Sequence, residues 1–316
     1  MRIVNNNNNF KNNHFHINET NIIIIGAGPA GISVATQLFR YKLLPTLVEK
    51  DGMGGLLRNA NLVENYPGFP NGISGPDLIS LFKRQMERVG LDVIQGEVTR
   101  LDFDNNEFSA TVMSNSNPNL YRARIAVIAT GTKAKPFPVF VPQKARGQVF
   151  SEVWPLFGKQ NKHIVIVGAG DAAFDYALNL AARDNTVTIL NRGTEPSCLP
   201  LLWERIKSIP SITYQTNISL QKIEVDKRTN SLILLTDRCS IFMDYCIFAI
   251  GREPAMDFLT ERVKMQEQRL VEDGKLYLIG DVHNGIYRQT GIAVGEGLRA
   301  AMQIYQQLSS GGLKVE

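Results

Sequence analysis

A run of four isoleucines, Ile22 to Ile25, interrupts a polar N-terminal stretch. Successive β-branched residues in so short a run predict a strand covered on both faces, as in a parallel sheet. Gly26-Ala27-Gly28-Pro29-Ala30-Gly31 follows, then apolar residues at helical spacing from Ile32 to about Tyr41. A second strand, Thr46 to Val48, ends on Glu49, which lies 23 residues after Gly26. In this spacing Gly26 permits a tight turn, Gly28 lets a phosphate approach the backbone, and Gly31 lets the helix pack close on the strand. The free N–H groups at the helix start would face a pyrophosphate. An acid at the position of Glu49 is expected to grip ribose hydroxyls. A glycine fingerprint alone also fits ordinary turns; strand, helix and acid together predict a nucleotide-binding βαβ unit.

The pattern recurs. Lys162 to Asn191 repeats strand, glycine turn, helix and strand, and both Gly26 to Gly168 and Glu49 to Asn191 span 142 residues. Two such units in one chain predict two dinucleotides that meet. Between them, Leu78–Val89 carries helical apolar spacing. Asp92–Val98, Glu107–Met113 and Ala123–Ile128 read as strands. The proline-rich stretch Lys133–Pro142 reads as a crossing linker, and Gly251–Pro254 as a second crossing. Ile212–Gln215 and the Ser219–Phe248 stretch read as strands and hairpins, Leu276–Ile279 as a short strand, and Ile292 to Leu308 as a closing helix. The predicted class is α/β, with two Rossmann-like three-layer ββα domains. Residues 133–254 are inserted into a discontinuous domain of residues 21–132 plus 255–316.

Composition narrows the field. The chain has 316 residues, 44% hydrophobic and 20% charged, as in a globular protein. The net charge of +4 is scattered, so no nucleic-acid footprint is read. No apolar run approaches the roughly 20 residues of a membrane helix. No metal-ligating cluster is read either. Three dispersed cysteines fit a reducing, cytoplasmic compartment. Residues 1–20, rich in asparagine, read as a disordered tail. Arg2 and Lys11 precede any acid there, which leaves a targeting segment open.

From Asn21 to Gln307 the chain resembles the low-molecular-weight thioredoxin reductase group of FAD-dependent pyridine nucleotide oxidoreductases. The resemblance is carried by GAGPAG (26–31), GGLL (54–57), ENYPGF (64–69), ATGT (129–132), GAGDAA (168–173), AIGREP (249–254), IGD (279–281) and RQTGIAVGEG (288–297). It implies that Gly26, Gly28, Gly31 and Glu49 hold the ADP half of FAD, with Pro29, Ala30 and Lys50 beside them. Gly55, Leu56, Asn65, Ala129, Thr130 and Gly131 belong to the same implied site. Gly280 and Asp281 would meet the ribityl chain, and Arg288, Gln289 and Thr290 the flavin. The closing helix would aim its N-terminus at reduced flavin, stabilising it by a few tenths to about 2 kcal/mol. Gly168, Gly170 and Ala173 would carry NAD(P)H, with Asp171, Ala172, Asn191, Arg192 and Gly251 in the same site. Taken singly, Asp281 also reads as a helix N-cap and Arg288-Gln289 as a surface pair. The family also implies a homodimer.

The chain departs from that group in two places. Where the relatives carry C-x-x-C upstream of the second fingerprint, Ser151 and Trp154 stand here, with no thiol. Trp154 reads equally as a cover for the flavin face or as a packing residue. Cys198 falls near the adenosine end of the second site. Cys239 and Cys246 are seven residues apart, or about 20 Å along a strand, against the roughly 7 Å a disulfide allows. The second departure is the basic cluster of NADPH-dependent relatives, of which only Arg192 survives, while Asn191 is not the acid that favours NADH. The expectation is an NAD(P)H oxidoreductase, leaning to NADPH, whose acceptor is not a disulfide. Ferredoxin or flavodoxin leads, because thioredoxin reductase-like ferredoxin–NADP reductases also lack the dithiol. Those enzymes place a C-terminal aromatic over the flavin and lack the Arg288-Gln289 pair, so small-molecule acceptors such as quinones or oxygen stay open. The alternative is a low-turnover flavoprotein acting as redox sensor or partner-binding protein. Rotation of the second domain about the two crossings is expected to be reduced, because no buried thiol must be presented.

Overall fold

The computed structural model describes residues 17–310, apart from 116, 227 and 230. The asparagine run, and with it the tail and targeting readings of residues 1–16, lies outside the described residues. Residues 17–20, assigned to the tail from composition, belong instead to the first strand: Asn18, Glu19 and Thr20 pair with Tyr121, Arg122 and Ala123. A strand partner about 100 residues away decides this, and local composition carries no trace of it.

The first unit runs β1 (Ile17–Ile25), α1 (Pro29–Arg40), β2 (Thr46–Glu49), α2 (Gly75–Val89), β3 (Val93–Gln95), β4 (Glu97–Asp104), β5 (Glu107–Ser114) and β6 (Asn117–Ile128). Strands β3, β2, β1 and β6 lie parallel in that order. The four isoleucines alternate between two cores. Ile22 and Ile24 face a layer with α1 and α2; Ile23 and Ile25 face β4 and β5 on the other side. All four are at most 4% exposed, so each contributes about 1.5–3 kcal/mol of burial. The expected Asp92–Val98 strand is two strands broken at Gly96, whose N–H donates to the Glu49 carbonyl.

A short strand, β7 (Thr132–Ala134), leads into the second unit. That unit comprises β8 (Val149–Phe150), β9 (His163–Val167), α3 (Asp171–Ala181), β10 (Thr186–Leu190), α4 (Pro200–Lys207) and β11 (Ile212–Gln215). Strands β12 (Leu220–Val225), β13 (Leu232–Thr236), β14 (Ser240–Met243) and β15 (Tyr245–Phe248) complete it. A parallel sheet in the order β11-β10-β9-β15-β8 carries α3 and α4 on one face, and the antiparallel meander β12-β13-β14 packs on the other. The chain returns through β16 (Arg252–Pro254), α5 (Glu261–Glu272), β17 (Leu276–Leu278) and α6 (Thr290–Ser310). On its edge away from β1, strand β6 serves two neighbours: its start pairs with β5, and Ala126–Ile128 pair with β17. The two crossings are not separate linkers. β7 and β16 pair antiparallel, Pro254 opposite Thr132 and Arg252 opposite Ala134.

Two helices escaped the sequence reading. α5 buries only Val263 and Leu270, too sparse a stripe to announce itself, although Thr260 caps its first turn. α4 is eight residues long and buries only Ile206. The closing helix starts at Thr290, two residues before Ile292. It lies close on α1 because Gly297 faces the Ala30 carbonyl, where a Cβ would come within 2.5 Å. Among the described residues no helix is long and apolar enough to cross a membrane.

Candidate functional site

The first candidate crevice opens at the carboxyl ends of β1, β2 and β6. Gly26 takes φ +101°, and Gly31 sits so close to it that a Cβ at Gly31 would lie 1.8 Å from the Gly26 carbonyl oxygen. That contact seats α1 on the strand end. Gly28, by contrast, has nothing within 4 Å of where its Cβ would stand. It is the N-cap of α1, and no side chain caps that helix. Backbone N–H groups therefore point into open space at the positive end of a helix dipole. Glu49 is buried and accepts hydrogen bonds from the Ala27 N–H (2.7 Å) and the Asp51 N–H (2.8 Å). Each carboxylate oxygen keeps a further acceptor position for a ribose hydroxyl. Lys50 is exposed beside Asp51 and Glu97. The Gly54 N–H donates to the Ala27 carbonyl (2.8 Å), bringing the Gly55-Leu56 segment alongside the glycine turn.

The other end of this crevice is formed by the residues after β17. Glu296 of α6 accepts from the Gly280 N–H (2.6 Å) and from Asn284 Nδ2 (2.8 Å), tying the Gly280-Asp281 turn to the helix. Burial raises the carboxyl of Asp281 above its ordinary range, against the opposing charges of Arg288 and Arg252. Arg288 Nε is buried with no hydrogen-bond partner within the protein. An unpaired buried donor costs about 1–3 kcal/mol, so this pocket is complete only when something accepts from it. Asn65 Nδ2 donates to Gln289 Oε1 (2.8 Å), joining two residues that are 224 positions apart. Thr130 donates to the Ala255 carbonyl (2.7 Å), fixing the Ala129–Gly131 turn at the crossing. The open cradle at Gly28, the buried orphan of Arg288 and the acceptor positions of Glu49 fit the FAD that the resemblance implies.

The second crevice repeats the first. Gly168 takes φ +142°, with Ala249 behind it, and the nearest atom to a Cβ at Gly170 is Ser197 Oγ at 3.9 Å. Ala173 is buried in the first turn of α3, while Asp171 and Ala172 are exposed at its start. The Asp171 carboxylate accepts from the Leu199 N–H (2.7 Å), and the Ser197 N–H donates to the Ala169 carbonyl (2.8 Å). The loop after β10 thus folds against the glycine turn. Asn191, in the predicted NAD(P) site, stands at the end of β10 with its amide bonded inside the protein: Nδ2 donates to the Glu195 carbonyl and Tyr214 Oη, and Oδ1 accepts from the Gly193 N–H. Asn191 shapes the loop, and Arg192 is the exposed cation beside it.

Contacts that sequence reasoning missed join the two units. Glu152 accepts from Asn59 Nδ2 (2.6 Å), Tyr176 Oη (3.1 Å) and Arg252 Nη1 (2.5 Å). The Trp154 N–H donates to Asn59 Oδ1 (3.2 Å), and the Arg58 guanidinium lies 5.4 Å from the Trp154 ring. Trp154 thus packs on the 55–59 segment of the first unit. Asp175 accepts from the Asn61 N–H (2.9 Å), and Glu64 forms a two-pronged pair with Arg205. Burial pushes the Asp175 carboxyl up to about 6, aided by Asp171, while the Asn61 and Leu62 N–H groups and Arg205 pull the other way. All three cysteines are free: Cys198 half-buried, Cys239 exposed and Cys246 buried in β15. Burial raises the thiols of Cys198 and Cys246. Ser151 is half-buried, and Gly251 stands exposed at the start of the crossing, near Lys135. The glycine turns and Asp281 were legible as motifs; Asn59, Glu152 and Tyr176 carried no signal beyond a lone acid in the Ser151–Trp154 segment.

Residues 20–297 match the family model described as pyridine nucleotide-disulphide oxidoreductase. A thioredoxin reductase of Rickettsia conorii is 30% identical over 302 residues, 90% of this chain and 96% of that protein. A thioredoxin reductase of Rickettsia felis is 29% identical, covering 92% of this chain and 98% of that protein. A crystal structure of Lactococcus lactis thioredoxin reductase, in the FR conformation, superposes with a TM-score of 0.80 at 22% identity, over 92% of this chain and 99% of that one. It shares the two Rossmann-like domains.

Two outcomes follow from this geometry. Gly28→Ala should leave the melting temperature of FAD-free protein nearly unchanged yet lower FAD retention. Gly31→Ala should destabilise the same protein by more than about 2 kcal/mol, since backbone must move; thermal unfolding and flavin absorbance distinguish them. The second concerns pH. Because Asp175 binds its proton more tightly in the folded protein than in the unfolded chain, where 3.8 is ordinary, stability should rise as pH falls from about 6 towards 4. The gain should be about 1–2 kcal/mol between pH 7 and 5, and Asp175→Asn should lack it when both proteins are melted side by side.

Proposed function

The chain belongs to the pyridine nucleotide-disulphide oxidoreductase family, and from that premise we propose that it is an FAD-dependent NAD(P)H oxidoreductase whose electron acceptor is not a disulfide. In this reading Gly26, Gly28, Gly31 and the start of α1 bind the pyrophosphate of FAD, and Glu49 the ribose. Asp281, Arg288, Gln289 and Thr290 hold the flavin end, with the start of α6 favouring negative charge there. Gly168, Gly170 and Ala173 hold the nicotinamide nucleotide, and the exposed Arg192 is the cation assigned to a 2′-phosphate, which favours NADPH over NADH. When bound, FAD supplies acceptance of a hydride from NAD(P)H, which leaves as NAD(P)⁺, and passes the two electrons to the acceptor.

The observation that carries the reading is the pairing of two open glycine cradles with the absence of a reactive sulfur pair. The segment Ser151–Trp154 presents Glu152 to the first unit, and burial raises the thiols of Cys198 and Cys246, which lowers their thiolate fraction. A protonated thiol is a poor nucleophile towards a disulfide. A ferredoxin- or flavodoxin-type carrier, or a small molecule such as a quinone, is the acceptor class consistent with that chemistry. The engagement of Asn191 within its own loop favours a second reading, a flavoprotein that binds nucleotide weakly and turns over slowly.

The family's homodimer has a fitting surface in this chain. Leu298, Met302 and Tyr305 line one exposed face of α6, and Tyr305 stacks on Tyr41 with ring centroids 4.1 Å apart. We assign that face to a second copy of the chain.

Anaerobic addition of NADPH to the FAD-loaded protein should bleach the flavin absorbance, with NADH slower. Persistent yellow colour with both would overturn the oxidoreductase reading in favour of the low-turnover one. Ferredoxin, flavodoxin, quinone or ferricyanide should then accept electrons, while thioredoxin disulfide should not. Met302→Glu should convert a dimer to a monomer in light scattering with FAD content unchanged; a wild-type monomer would sink the assignment of the α6 face.

A further inference from the structure

The contacts of Glu152 differ in kind from the rest of the junction between the two units. Its carboxylate is engaged at both oxygens: Oε1 takes Arg252, and Oε2 takes both Asn59 and Tyr176. Asn59 is 3% exposed and is satisfied at both ends of its amide, by Glu152 and by the Trp154 N–H. Arg252 also donates to Thr132, through Nε to Oγ1 (2.9 Å) and Nη2 to the carbonyl (2.8 Å). The network is sheltered, and the Glu152 and Arg252 charges face each other. The exposed Glu64–Arg205 pair is the kind that contributes little in water.

The members divide among three bodies. Asn59 belongs to the first unit, Glu152 and Tyr176 to the second, and Arg252 and Thr132 to the paired strands β16 and β7 through which the chain passes between them. Turning the second unit about that ribbon would leave Arg252 on Thr132. It would separate Glu152 and the Trp154 N–H from Asn59. A sheltered carboxylate would then lose a charge-assisted hydrogen bond, and Asn59 both its partners.

We propose that Glu152 is a positioning residue: it clasps the two nucleotide-binding units across their crossing ribbon and fixes one arrangement for transfer between them. The proposal rests on the oxidoreductase reading above for its consequence, but the clasp itself is a property of the polypeptide. It gives the segment Ser151–Trp154 a role that needs no sulfur: the strand-end stretch holds the units instead of relaying electrons.

The test uses Trp154 as its reporter, because its N–H and its ring both contact the first unit. The chain has two tryptophans, so protein grown with 5-fluorotryptophan gives two ¹⁹F signals, assigned with Trp154→Phe. Glu152→Ala and Asn59→Ala should each shift or split the Trp154 signal and leave that of Trp203 in place. Both should keep their FAD, and flavin reduction by NADPH should slow by about tenfold or more through lost alignment. The double variant should be no worse than Glu152→Ala alone, since both residues serve one contact. Glu152→Gln, which keeps volume and the bond to Asn59 but not the charge facing Arg252, should shift Trp154 in the same direction by less, and it serves if the alanine variant does not fold. An unmoved Trp154 signal in Glu152→Ala and Asn59→Ala overturns the clasp. A moved signal with an unchanged rate of flavin reduction overturns the positioning role. Should the parent protein resist reduction by either nucleotide, the oxidoreductase reading and with it the positioning role fail, while the Trp154 signals still decide the clasp.

Discussion

The approach of Gly31 to the Gly26 carbonyl sets the rest of the first unit. Helix α1 can lie against the end of β1 only because no side-chain atom stands between them. That seating decides where the first turn of α1 points, and hence where its free N–H groups meet the open space beside Gly28. The same constraint is met a second time where Gly297 of α6 faces the Ala30 carbonyl. With α1 pinned between strand and helix, the turn after β17 is brought beside the start of α6, and Glu296 ties the two. A packing requirement thus becomes a binding geometry: close backbone contact on one side leaves donors uncovered on the other.

Polar satisfaction distinguishes the parts of the molecule that are complete from the parts that await a ligand. At the junction of the units Glu152, Asn59, Tyr176 and Arg252 bond to one another. At the Asp281–Arg288 end of the first crevice Arg288 Nε is buried without an acceptor inside the protein, and burial raises the half-buried Asp281 carboxyl above its ordinary range. Interiors tolerate few unpaired donors. All three cysteines are free, and burial raises the thiols of Cys198 and Cys246.

Much of the fold was legible. Continuous apolar runs announced the parallel strands, and glycines announced the turns, because strand burial and tight turns are both local demands on residue type. The repeat of the unit at a fixed spacing made the second crevice as readable as the first. Less legible were α4 and α5, whose buried stripes are one or two residues wide, and the start of β1, whose partner lies about 100 residues away. Position at a strand end places Asn191 in the predicted NAD(P) site but does not say what its side chain bonds. Its amide is consumed by Glu195, Tyr214 and Gly193, a choice made by loop geometry that position alone does not reveal.

By itself, the order of residues determined that two glycine-turn units of the same design exist, and that no C-x-x-C precedes the second. Those are consequences of short-range spacing, where each residue type answers to its neighbours in the chain. Only the tertiary structure decided how the cradles are joined: the crossings pair as one ribbon, and a glutamate, an asparagine, a tyrosine and an arginine close over it. None of those four has a local reason for its identity. Their partners lie 24 to 100 residues apart in sequence, and a hydrogen bond becomes strong only where the fold has excluded water from both ends.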